Sequence, residues 1–425
     1  MKTRTLHKAL LAAGFAAAAS FAVPAAPALA EDLTVIGHAV HQRTSSEGDG
    51  GNIVADWTAE TGADVEWLTF GVTPIHERLF REASLDQGGI DAAFLLNRFT
   101  NANVINLFEP LDDYIANDPI PDFEGISPGM VEAFTFDGKV YGIPFRHATH
   151  GLFFNKTLLA EKGFDRPPES FAEVIEYARA LTYTRDDGTK VHGIIWGGTG
   201  PANLADVVRV HGGDFITSDM EVLVNSEGTV EAISLLADFY KEGVLPQAFI
   251  NFTTEDVITF MQQGRAAMAI GPFGRYRPFN DPEASNFAGE IDVMAIPGFS
   301  GDTQAAAKTE VWALSIPANA PDKDLAWSFV KHLSTLDAAT RAAVNGNGPV
   351  RSGAYEDPRV KDLVPYAAAE AAAVVTARVP LPGFEKSAQA DDAIKEEIQA
   401  ALLGAKSAQQ AMDDLQRRLE RLIGN

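Results

Sequence analysis

From Asp32 onward the chain alternates short apolar strands with amphipathic helices, and that alternation leaves few folds open to it. Leu33 to Ile36 reads as a strand. A helix carrying Ile53, Val54 and Trp57 follows and stops at Gly62, and Val65 to Phe70 reads as a second strand. Pro74 opens a helix with Ile75, Leu79, Phe80 and Ala83 on one face, and Ile90 to Leu96 is a third strand. Strands separated by helices of this length favour right-handed βαβ units and a parallel sheet covered on both faces. In such sheets the ligand sits beyond the carboxyl ends of the strands. Here those ends carry His38, His41 and Gln42 after the first strand and Asn97 and Arg98 after the third.

The chain of 425 residues exceeds what one core usually serves, so two domains are expected. The first thirty residues are expected to be a signal peptide. Lys2, Arg4 and Lys8 precede an apolar run, Pro24 and Pro27 interrupt it, and Ala28-Leu29-Ala30 forms an A-x-A cleavage site. Loss of those three positive charges takes the formal charge from −24 to −27. So acidic a chain argues against nucleic acid and anionic membrane surfaces as partners. With 0 cysteines there is no disulfide framework, no thiolate metal site and no cysteine nucleophile.

The stretch from Asp137 to Thr182 shows how a second unit begins. A Gly-Lys turn leads to Tyr141-Gly142-Ile143-Pro144, then to an apolar strand from Gly151 to Phe154. A helix with Phe171, Val174, Ile175, Ala178 and Leu181 on one face follows, and Ser170 and Glu173 predict a capping box at its start. Pro144 to His147 is expected to be an irregular crossing between units and a hinge. Later, Gly197-Gly198-Thr199-Gly200-Pro201 follows a strand; it lacks the Lys-Ser/Thr of a P-loop and reads as a turn bringing backbone near a ligand. The C-terminal helices, with Ile394, Ile398 and Leu402 and then Ala411, Leu415 and Leu419, are split by Gly404 and are expected to dock onto a domain rather than form a coiled coil.

The order YGIP, LFFNK, PPESFAEV resembles the family 1 extracellular solute-binding proteins, the maltose-binding-like components of bacterial ABC importers. The segment FTTEDVITFMQQGRAAMAIGPFGRY resembles the same family, as does the Asn345 to Arg351 segment. The resemblance implies an α/β fold of periplasmic-binding-protein type, with two lobes joined by hinge crossings and the ligand cleft between them. The expected lobes are 31–143 with about 305–348, and 144–304 with about 349–425. It implies a receptor without catalysis or cofactor, monomeric in the periplasm, that hands a carbohydrate-like small molecule to a membrane permease. It places Phe273 and Trp312 at strand ends as aromatic platforms for a sugar ring. A carbohydrate-active enzyme and a same-fold binder of a polyamine or iron chelate are the alternatives. No G-x-S-x-G, H-E-x-x-H, Walker or EF-hand pattern is present, and no metal site is expected.

The loops expected to converge carry His38, His41, Asn97, Arg98, Arg146, His147, Arg275 and Arg351, with few acids among them. Such a donor set suits a solute with acceptor oxygens, an anionic sugar derivative being one candidate. Arginines paired with nearby acids, around a neutral sugar or polyol, are the other.

Overall fold

The computed structural model describes residues 32–424; the expected signal segment 1–30 lies outside the described residues. Its strands are β1 (Leu33–Gly37), β2 (Val65–Thr69), β3 (Ala92–Leu96), β4 (Thr135–Phe136), β5 (Lys139–Val140), β6 (Ile143–His147), β7 (His150–Asn155), β8 (Tyr183–Thr184), β9 (Lys190–Ile195), β10 (Ala266–Pro272), β11 (Ile291–Met294) and β12 (Val311–Ser315). They form two five-stranded sheets and a small hairpin of β4 and β5.

The first sheet runs β2-β1-β3-β12-β6. β1 is parallel to β2 and β3, as the βαβ pattern requires, while β12 enters antiparallel between β3 and β6. All five residues of β3 and of β12 are buried, so both faces of the sheet centre are covered. The second sheet runs β11-β7-β10-β9-β8, with β9 and β10 parallel and the other neighbours antiparallel.

Each sheet has its own apolar core. Trp57, Phe94, Trp312 and Phe329 belong to the first; Phe153, Trp196, Phe215 and Phe239 belong to the second. Residues 311–342 return to the first core, and from Ala343 onward most buried residues lie in the second. Helices Ser387–Leu402 and Ala408–Ile423, divided by Gly404 in the left-handed region, pack on each other and on helix Glu227–Glu242. Among the described residues, no helix is long and apolar enough to cross a membrane.

Two local expectations need correction. Pro144 to His147 is not irregular but is most of β6; Pro144 sits opposite Ala313, where the pairing with β12 shifts register. A proline lacks the N–H to bond there, and a bulge tolerates it. The chain then reaches the second sheet through Ala148 and Thr149 alone. The capping box at Ser170 is half formed: Ser170 Oγ accepts from Glu173 N at 3.2 Å. The Glu173 carboxylate turns instead to Arg166, with two 2.8 Å bonds, and to the Glu169 N–H at 2.8 Å. Ser170→Ala should therefore lower stability by about 1 kcal/mol, the worth of one N-cap bond. A urea titration with an unchanged midpoint would refute this.

Candidate ligand cleft

At the end of β1 the backbone turns into helix Ala39–Ser46, and two histidines cap it reciprocally. His38 Nδ1 accepts from Val40 N, and His41 Nδ1 accepts from His38 N, both at 3.2 Å. This fixes the buried His41 ring, which stacks on Phe94 at 4.1 Å and meets Trp312 edge-on at 4.6 Å. On the other side of Trp312 stands His76, whose Nε2 accepts from Leu96 N at 3.0 Å. Burial holds His41 and His76 below the usual histidine range, His76 at about 4, so both are neutral. Trp312, at 4% exposure, fills the space between two neutral rings and is part of the core wall rather than an open platform.

Asn97 and Arg98 bind protein rather than empty space. Asn97 Oδ1 accepts from Val311 N at 3.1 Å, tying the loop after β3 to β12. Arg98 Nε lies 3.0 Å from Glu310 Oε1, off the line of a directed bond, and its Nη1 is 3.6 Å from Asp391. Glu310 also accepts from Lys308 Nζ at 2.7 Å. Burial alone would raise the Glu310 carboxyl, yet Lys308 and Arg98 pull it to about 2. Two bonds beside this cluster hold the return passage to the second core. Asp206 accepts from Lys308 N at 2.6 Å and lies 2.6 Å from His150 Nδ1.

Four further expected residues are placed away from an open cleft. His147, 1% exposed, bonds Tyr355 Oη through Nε2 and Thr149 Oγ1 through Nδ1, each at 2.9 Å, and so pins the crossing. Phe273 is fully buried, stacked on Tyr366 at 5.9 Å; a Cβ on Gly151 would lie 2.7 Å from its ring. Thr199, 1% exposed, accepts from Gln399 Nε2 at 3.1 Å and backs onto helix Ser387–Leu402. Arg351 is buried and donates to the carbonyls of Ser334, Asp122 and Pro121. Gln42 is half-buried at the start of the same helix as His41.

Among the described residues, Arg146 and Arg275 are not held by protein partners in this way. Arg146 is the next-to-last residue of β6, beside the first core, and Arg275 follows β10 on the second; both are half-buried. Burial, then Arg275 and Arg43, lowers Arg146 to about 10. Burial and Arg43 likewise lower Arg275 to about 10, against the opposite pull of Glu255. Arg146 Nε is buried with no hydrogen-bond partner. His38 feels both arginines as well as its burial and falls to about 4. Neighbouring Glu370, 3% exposed, is raised to about 8 by burial, although Tyr355 and Arg146 pull it down.

Sequence reasoning missed Arg43, Tyr276, Tyr366 and Glu370. Together with Asp49, Gly274 and Arg277, the first three line a cleft of about 610 Å³ that draws on both cores. That volume suits a small ligand. Arg277 stands 3.8 Å from Asp49 across it. Arg275 also lines a smaller cavity, about 30 Å³, with His150, Asn203 and Thr254.

Two cores, three chain passages and a cleft between them define a two-lobed binding protein. The chain belongs to the bacterial extracellular solute-binding proteins, whose family model matches residues 52–340. It is 23% identical over 319 residues to a probable ABC transporter-binding protein of Deinococcus radiodurans, covering 72% of this chain and 74% of that one. It is 24% identical over 270 residues to a maltotriose-binding protein of Pyrococcus abyssi, covering 60% and 53% of the two chains. Among solved structures, maltose-bound MalE3 of T. maritima superposes with a TM-score of 0.79 at 21% identity, covering 92% of this chain and 100% of that one. A ribitol-bound solute-binding protein of Agrobacterium radiobacter K84 gives 0.78 at 19% identity, covering 92% and 99%. These likenesses fix the α/β fold of periplasmic-binding-protein type.

Proposed function

We propose that this protein is the periplasmic receptor of an ABC importer, and that it captures a carbohydrate or carbohydrate derivative and presents it, chemically unchanged, to a membrane permease. The observation that carries this reading is the cleft between two separate cores, lined by guanidinium and phenol groups. Phenol rings offer an apolar face to sugar C–H groups and a hydroxyl to sugar oxygens. The relatives named for maltotriose binding and the ribitol-bound structure support the ligand class. Export with cleavage after Ala30, a monomeric state and the lobe boundaries expected from the sequence belong to the same proposal.

In this mechanism a ligand contacting both lobes stabilises their closed arrangement, and the permease reads closure. A thermal-shift screen of the purified protein against sugars, polyols and sugar acids tests it. A ligand at 100 times its dissociation constant should stabilise the protein by about 2.7 kcal/mol. The bound compound should be recovered intact, and small-angle scattering should show compaction. Conversion of the ligand to product would point to an enzyme instead.

A further inference from the structure

Arg146 and Arg275 belong to different sheets on either side of the first crossing: Phe273 N, two residues before Arg275, donates to Thr149 O, three residues after Arg146, at 3.0 Å. Arg43 adds a third guanidinium that acts on both. In a chain of formal charge −24, several buried or half-buried arginines have found an acid: Arg209 pairs with Asp214 at 3.1 Å, and Arg341 with Asp56 at 2.5 Å. Among the described residues Arg146 and Arg275 form no ion pair and no hydrogen bond, and Arg146 Nε is enclosed. The acids nearest to them do not neutralise them. Glu370 is held largely protonated at neutral pH, and Glu255 is exposed, opening helix Thr254–Gln262. His38, His41 and His147 are all neutral. Like charges brought together in a partly dry site repel, and the pull of Glu255 on Arg275 is exerted without an ion pair, so neither arginine has a bonded counter-charge.

We infer that the missing partner is the ligand: the cleft takes a polyhydroxylated solute bearing an acidic oxyanion, a carboxylate or a phosphate, clamped between Arg146 and Arg275. This rests on the receptor reading above and narrows it. Guanidinium groups bind such oxyanions through paired, charge-assisted hydrogen bonds, which also fix the orientation of the ligand. Because one arginine stands on each lobe, the anion that cancels their repulsion also draws the lobes together. Tyr366 and Tyr276, the residue after Arg275, stand in the cleft wall with Arg43 and remain for the hydroxylated part of the ligand.

The test is titration calorimetry with matched pairs: D-galacturonate against D-galactose, D-gluconate against D-glucitol, and D-glucose 6-phosphate against D-glucose. At least one acid should bind about tenfold or more tightly than its neutral partner, with an affinity that falls as salt is raised. Which acid wins separates carboxylate from phosphate. Arg146→Met and Arg275→Met should abolish the preference. The melting temperature of the ligand-free Arg275→Met variant should equal or exceed that of the wild type, because a repulsion has been removed. A fall would make the arginine structural and overturn the inference. A neutral member binding as tightly as its acid would also overturn it while leaving the receptor reading intact. Binding of neither arm would count against both.

Discussion

Arg351→Met should destabilise the protein by about 3–5 kcal/mol, read as a lower urea midpoint with an unchanged slope. The side chain is 1% exposed, and its guanidinium is spent on the fold. Nε donates to Ser334 O at 2.9 Å, Nη1 to Asp122 O at 2.5 Å, and Nη2 to Pro121 O at 3.2 Å. Methionine fills much of the volume but offers no donor, so three carbonyls lose a charged donor, and that of Ser334 is left buried without it. The backbone around it is held the same way, with Ser127 N donating to Val350 O at 2.9 Å. A loss below about 1 kcal/mol would mean that those carbonyls find other donors.

Glu370→Gln should make the protein more stable in alkaline buffer, by about 2–4 kcal/mol at pH 8 to 9, and leave it nearly unchanged near pH 5. The sign follows from burial, which raises the folded carboxyl from 4.5 to about 8. Between those values the folded protein keeps a proton that the unfolded chain has released. The contribution of Glu370 is thus intact below about 4.5 and is lost as pH rises through 8, at up to about 1.4 kcal/mol per unit. Glutamine has nothing to release and can still bond Tyr355. The opposite limb belongs to Glu310, held at about 2: its stabilisation is present above the ordinary carboxylate range and is lost as pH falls toward 2. Stability profiles of wild type and Glu370→Gln that run parallel from pH 5 to 9 would refute the assignment.

The elements that a local pattern can announce were legible in the sequence. β1 and β2 follow their apolar runs to within a residue, and helix Ile53–Thr61 ends at Gly62 in the left-handed region, as its glycine suggests. Pairing over long distances was not legible. β6 looks irregular because Pro144 breaks the pattern, and its partner β12 lies well over a hundred residues away. Phe273 reads as a strand-end platform; its depth is decided by Tyr366, in a segment with no period to give it away. Glu370 sits in AAAEAAA, which looks like a solvent-facing helix, and tertiary packing buries it. Arg146, Arg275 and Arg351 are the same residue type in segments that all read as irregular in the sequence. Only the fold shows that the third is saturated by carbonyls while the first two are left without partners.

The position of β12 sets the order in which this molecule can be assembled. It lies between β3 and β6 in the first sheet, yet it is the last of the twelve strands in sequence. A growing chain that has produced β1 to β6 holds the two halves of that sheet with an unfilled slot between them. The second sheet has all its strands by Met294, but Ile394, Ile398, Leu415 and Leu419 of its core come only from the last two helices. Neither half can therefore reach its native core from an N-terminal fragment, and many decisive contacts join residues far apart in sequence. Chains with that property fold slowly. The nascent protein stays open, with β3 and β6 presenting free edges, until β12 has been made, and its second core stays incomplete until the last two helices follow. Fragments ending before Val311 should consequently be the aggregating species during overproduction.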